Sequence, residues 1–81
     1  MPETVEVKTG VKEVIIDQLG VDEEKITPES DIILDLGADS LDVIEIIMAF
    51  EEIFNIDIPE KEAKKLRTVQ NFVDHIKEQT E

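Results

Sequence analysis

Apolar positions along this chain recur at three- and four-residue spacing, the period of a helix, and no stretch alternates as a half-buried strand would. Val11, Val14, Ile15 and Leu19 predict a first helix from about Thr4 to Leu19, with Gly20 as a left-handed C-terminal cap. Gly10 interrupts that helix and costs about 1 kcal/mol relative to Ala, which weakens its first turns. A second helix is predicted from Ser40 to about Phe54, with Asp39 as its N-cap. Leu41, Ile44, Ile47, Met48 and Phe54 fit one face of it, and Ile46, Phe50 and Ile53 widen that face. This exceeds the apolar surface one buried stripe needs. The second helix is therefore either central in the fold or turned partly toward a ligand or partner.

Asn55 to Pro59 reads as a linker, followed by a short third helix over about Glu60 to Lys65. Thr68 caps a fourth, whose buried stripe is Val69, Phe72, Val73 and Ile76. Between the first two helices lies a long connection, about Val21 to Ala38. Its Thr27-Pro28-Glu29-Ser30 segment reads as a turn or a single helical turn. Connections of this length inside small domains are usually functional or packed down. Ile26, Ile32, Ile33, Leu34 and Leu36 can supply the packing, so the connection is expected to be ordered. The chain reads as all-α, one domain spanning 1–81, with no repeat and no flexible linker dividing it.

Composition narrows the chemistry. With 81 residues the core is thin. There is no cysteine, which excludes disulfides, thiolate zinc sites and thiol catalysis. No apolar run reaches the roughly 18 residues of a membrane span. The first residues lack the basic-then-apolar order of a signal peptide, so a cytoplasmic location and no membrane insertion are expected. The net charge is −13. Ile26 to Glu60 holds ten acids and no Lys, Arg or His. Such a surface repels nucleic acid and anionic lipid, attracts basic partners, and keeps the protein monomeric.

Ser40 stands between Asp39 and Asp42, at the predicted start of the second helix. As a nucleophile it would need a base. The single histidine, His75, belongs to another helix and reads as a packing residue. Gly37-Ala38-Asp39-Ser40-Leu41 is not a hydrolase elbow. Glu51 and Glu52 diverge by about 100° on a helix and do not form a pair. Asp31, Asp35, Asp39 and Asp42 fall at some positions of a calcium-binding loop, but Ile33 and Leu36 occupy positions where a ligand and a glycine belong. Neither an enzyme nor a metal site is expected. Attachment is the remaining use. A phosphodiester on Ser40 would meet the free N–H groups and positive end of the helix. Physics alone leaves this open against a simple capping role.

The octapeptide Asp35-Leu36-Gly37-Ala38-Asp39-Ser40-Leu41-Asp42 resembles the phosphopantetheine attachment motif of acyl carrier proteins of dissociated (type II) fatty acid synthesis. The resemblance continues through Glu45, Met48-Ala49, Glu51-Glu52, Ile58-Pro59 and Thr68-Val69-Gln70, and includes Leu19-Gly20-Val21. It implies a small four-helix bundle in which 4'-phosphopantetheine, transferred from coenzyme A, is attached to Ser40 and carries acyl groups as thioesters. The missing cysteine agrees, because the reactive sulfur arrives with the cofactor. The implied partners are a phosphopantetheinyl transferase and the fatty acid synthesis enzymes, engaged through their basic patches. The implied contact residues are Asp39, Leu41, Asp42, Val43, Glu45, Met48, Glu51 and Glu52. Ile46, Ile47, Phe50, Ile58, Ala63 and Leu66 are the implied lining of an acyl pocket.

Several positions depart from that pattern. Lys61, Lys64 and Arg67 make the third helix region basic. Val43, Ile53 and Leu34 are apolar where polar residues are usual, Phe72 is bulky, and His75 replaces an aromatic. Two other readings fit the same residues: a carrier dedicated to polyketide, lipid A or aminoacyl transfer, and an unmodified acidic helical adaptor.

Overall fold

A helix with one apolar stripe is stable only when that stripe is covered, and here four helices cover one another. The structure, a computed structural model, describes residues 6–80. It contains α1 (Val7–Leu19), α2 (Ser40–Phe54), α3 (Glu60–Ala63) and α4 (Val69–Thr80), with a 3-10 turn at Glu23–Lys25. Among the described residues the one strand-like feature is an isolated bridge between Asp31 and Thr68. The expected all-α architecture of four helices is therefore found, with α1 packed on both α2 and α4.

Helix boundaries follow local chemistry. Gly20 adopts φ 69° and donates its N–H to the Ile16 carbonyl, 2.8 Å away, closing α1 as expected. The predicted start of α1 at Thr4 lies outside the described residues. The helix runs unbroken through the buried Gly10. Thr68 caps α4: its Oγ1 accepts from the Asn71 N–H at 3.1 Å, and Asn71 Oδ1 accepts from the N–H groups of Arg67 and Thr68. α3 is two residues shorter than predicted. After Ala63 the bonds tighten to i→i+3, with Lys65 N–H to Glu62 and Leu66 N–H to Ala63. This tightened turn ends with Leu66 packed against the core.

The core joins Val11, Val14 and Ile15 of α1, Ile46, Ile47 and Phe50 of α2, and all four predicted stripe residues of α4. Phe50 and Phe72 meet at its centre, rings 5.5 Å apart and tilted by 58°, an arrangement favoured by the ring quadrupoles. The expected apolar face of α2 needs correction. Of the five residues assigned to it, only Ile47 is buried and Phe54 half-buried; Leu41, Ile44 and Met48 are exposed. At about 100° per residue, Ile46, Phe50 and Ile47 form one arc, and Leu41 and Met48 point roughly opposite it. α1 and α4 cover only the first arc.

The connection between α1 and α2 is ordered, as expected. Ile26, Ile32 and Leu36 are buried in the core, whereas Ile33 and Leu34 are exposed. Backbone hydrogen bonds stitch the connection to the head of α4: Ile32 N–H to Arg67 O, Val69 N–H to Ser30 O and Gln70 N–H to Pro28 O, each 3.0 Å. Thr27 to Ser30 forms a turn, closed by the Ser30 N–H on the Thr27 carbonyl. The buried Ser30 hydroxyl accepts from the Thr27 N–H and donates to the Lys25 carbonyl, both at 3.0 Å. Asp31 Oδ1 accepts from the N–H groups of Ile33 and Leu34, and Oδ2 pairs with Arg67 at 3.2 Å.

Two predictions follow from this stitching. Ser30→Ala leaves the Thr27 N–H and the Lys25 carbonyl without the hydroxyl that joins them, and should cost about 0.5–1.5 kcal/mol in equilibrium urea denaturation. The Asp31 carboxyl titrates below its ordinary value of 3.8, chiefly through the Leu34 N–H, then the Ile33 N–H and Arg67, with burial opposing. A lowered native pKa gives stability that is complete above the unfolded value and lost as pH falls through the native one. Asp31→Asn should therefore lower the urea midpoint at neutral pH, and the gap to the parent should narrow as pH falls below 3.8.

Candidate functional site

The site is built where the connection hands over to α2. Residues 31–37 coil into two tight turns, with Asp35 and Leu36 N–H on the Asp31 carbonyl and Gly37 N–H on Ile33. Gly37 takes φ 81°, a conformation that penalises any side chain. It reverses the chain so that the Ala38 N–H reaches the Ile32 carbonyl at 2.9 Å, and Ala38 is buried. Asp39 then caps α2. Its Oδ1 accepts from the Asp42 N–H at 2.8 Å, and Asp42 Oδ2 accepts from the Asp39 N–H at 3.2 Å. This reciprocal box is the aspartate version of the usual Ser/Thr–Glu arrangement.

Ser40 is the first residue of α2 and is exposed. It is thus relieved of the capping role that the sequence left open for it, because the Asp39 carboxylate performs it. The N–H groups of Ser40 and Leu41 precede the first intrahelical bonds, so they remain available at the helix's positive end. A covalently attached phosphodiester fits there: its hydroxyl anchor is accessible and its charge faces free donors. Ser30, the other serine, is buried and committed at three atoms, to Thr27 N–H, Thr27 Oγ1 and Lys25 O. His75 is half-buried on α4, with its Nε2 3.0 Å from Gln79 Nε2. Among the described residues no group of three or more His, Asp or Glu is placed to hold a metal ion.

From Ser40 the exposed side of α2 extends toward its C-terminus. Of the expected contact residues, Asp39, Leu41, Glu45, Met48 and Glu52 are exposed. Leu41 and Met48 are about 60% exposed, which is high for large apolar side chains. Glu45 and Glu52 project within about 40° of Leu41, so acids and apolar groups share one surface. Val43 instead packs half-buried against the core, pointing away from that surface. Asp42 is half-buried, held in the capping box and approached by Gln18 Nε2 of α1 at 3.4 Å. The same Gln18 amide donates to Glu45. Glu51 is half-buried, and its Oε2 accepts from the Ile58 N–H at 2.8 Å. Sequence reasoning missed Ile44, exposed beside Met48; its position on the helical wheel next to Leu41 and Met48 was the available signal.

The six expected pocket residues are brought together. Ile46, Ile47, Phe50 and Ile58 are buried, and Ala63 and Leu66 pack on the same cluster. They close on one another as core between α2, the linker and α3. Lys61, Lys64 and Arg67 are exposed, and Arg67 is turned to Asp31. No helix among the described residues is long and apolar enough to cross a membrane.

Comparison with known families agrees with this geometry. A family model described as "Phosphopantetheine attachment site" matches residues 9–76, a span that contains Ser40, α2 and α3 whole and most of α1 and α4. Domains of this kind are non-catalytic carriers that work with transferases and other enzymes, and they hold 4'-phosphopantetheine covalently. With most of its length inside that match, the chain belongs to the phosphopantetheine attachment site family.

Proposed function

We propose that Ser40 is the attachment residue, and that the protein carries growing fatty acyl chains between the enzymes of a dissociated fatty acid synthesis system in the cytoplasm. The observation that carries the first part is the contrast between the two serines: Ser40 is exposed at the head of a capped helix, and Ser30 is buried and hydrogen-bonded. The prosthetic arm supplies the thiol that holds the acyl group. The protein's own residues present, shelter and release it. The length and order of the Asp35–Asp42 motif support the fatty acid reading over a bare carrier assignment.

Partner recognition is assigned to the exposed side of α2, with Leu41, Met48 and Ile44 as apolar contacts and Asp39, Glu45 and Glu52 as charges. Exposed charge pairs give fast association and modest affinity, which suits a carrier that must leave each enzyme. A net charge of −13 favours a monomer that works as one domain. Ile46, Ile47, Phe50, Ile58, Ala63 and Leu66 are assigned to the acyl chamber. Each buried methylene contributes about 0.8 kcal/mol, so roughly seven can offset several kcal/mol of core rearrangement.

A carrier of a specialised pathway is the second reading. It is favoured by the basic segment Lys61, Lys64 and Lys65 and by the exposed Leu34 and Ile53, which alter the surface an enzyme would meet. Loading of the modified protein by malonyl- and acyl-transferring enzymes of fatty acid synthesis separates the two; failure to load favours the specialised carrier.

Incubation with a phosphopantetheinyl transferase and coenzyme A should add the mass of one phosphopantetheine, and Ser40→Ala should add none. A modified Ser40→Ala protein would defeat the assignment. Glu45→Lys should slow loading at low ionic strength by about tenfold, with the deficit shrinking as salt is raised and helical content unchanged by circular dichroism. Equal loading rates at low salt would remove Glu45 from the recognition surface.

A further inference from the structure

Glu51 is the one acid among the expected contacts on α2 whose carboxylate binds a distant backbone group. Its Oε2 accepts from the N–H of Ile58 at 2.8 Å, seven residues along the chain. Glu45 and Glu52 on the same helix are exposed, whereas Glu51 is half-buried. Ile58 is only 4% exposed and belongs to the core cluster. It lies in the linker between α2 and α3, which has few other hydrogen bonds to the rest of the fold. Asn55, at φ 54°, and Ile56 donate to the Glu51 carbonyl at the end of α2. The Asp57 carbonyl accepts from Gln79 Nε2 of α4 at 2.8 Å. Pro59 has no N–H to give. The bond from Ile58 to Glu51 is therefore what ties the last stretch before α3 back to α2. Because its acceptor is charged, it is roughly twice as strong as a neutral bond.

We propose that Glu51 is a positioning residue: its carboxylate latches Ile58, and with it the linker that forms the α2–α3 wall of the acyl chamber. This rests on the chamber assigned above. The latch depends on the reach of the side chain, whereas docking depends on its charge. Two conservative variants separate these properties. Glu51→Gln keeps an oxygen at the same reach and loses the charge. Glu51→Asp keeps the charge and withdraws it by one methylene.

The experiment is amide hydrogen exchange of the protein without an acyl group, followed by the thermal midpoint of the phosphopantetheine form with and without an octanoyl group. Exchange at Ile58 should rise only slightly in Glu51→Gln, which keeps the acceptor and loses its charge, and be about tenfold or more faster than the parent in Glu51→Asp. Exchange at Ile15 of α1 reports global opening and should barely change. The rise in midpoint on octanoyl loading should persist in Glu51→Gln and shrink in Glu51→Asp. Parent-like Ile58 exchange in Glu51→Asp, or equal acceleration in both variants, overturns the latch. No octanoyl-dependent rise in the parent overturns the chamber, while the exchange data on the unloaded protein still judge the latch.

Discussion

The hydrogen bonds between the connection and the head of α4 hold the rest of the site in place. A segment of nearly twenty residues without a long helix carries many backbone donors and acceptors, and a thin core tolerates none of them unpaired. Ile32 N–H on Arg67 O and Val69 N–H on Ser30 O pin the middle of the segment. Ser30 and Asp31 satisfy what the backbone alone cannot. From Ile32 the next bond runs to Ala38, one residue before the Asp39 cap. The exposure of Ser40 is thus inherited, through Ile32 and Ala38, from a helix end that contributes no side chain to the site. Asn71, whose Oδ1 completes the Thr68 cap at that end, supports the Ser40 region from a distance.

α2 carries two apolar arcs, and their separation lets one helix serve the fold while leaving a second face for the recognition proposed above. Ile46, Ile47 and Phe50 meet α1 and α4. Leu41, Ile44 and Met48 stay in solvent, where Glu45 and Glu52 interleave with them. Exposed apolar side chains in a row favour self-association. Here the surrounding negative charge opposes contact between identical copies and favours contact with a basic surface. In the proposed recognition surface the same acids would select a basic partner and discourage a second copy.

What could be read in the sequence was whatever is decided within one turn of chain. Asp39 as cap, Gly20 as left-handed terminator, Thr68 at the head of α4 and the α4 stripe all follow from neighbours in sequence. The choice of buried arc on α2 did not, because an arc's burial depends on where α1 and α4 lie, and both arcs are apolar. The shorter α3 was missed because Leu66 is drawn inward by tertiary packing. The 3-10 turn at Glu23–Lys25 has no apolar period to announce it. The bonds of Gln18 to Asp42 and Glu45, 24 and 27 residues apart, and of Glu51 to Ile58, are contacts of polar side chains that carry no periodic signature. They nevertheless change the meaning of residues that the sequence had assigned to partner contact alone.

The distribution of rigidity bears on where the acyl chamber proposed above would open. Moving Phe50 or Phe72 disrupts the aromatic contact at the centre and the close packing around it, whose loss in comparable cores costs about 3–5 kcal/mol. α3 presents the opposite case. Four residues cannot hold a helix by their own hydrogen bonds, so α3 stays folded through Ala63 and Leu66 on the core and through the linker that precedes it. The linker in turn is held by the packing of Ile56 and Ile58 on the core and by two side-chain contacts, Glu51 with Ile58 and Gln79 with Asp57. Opening at this edge therefore costs these polar contacts and the burial of Ile58, and leaves the contact between Phe50 and Phe72 intact. If the proposed acyl chamber opens here, the depth beneath it is limited by Phe50 and Phe72, so that proposal puts access in the linker and chain length in the core.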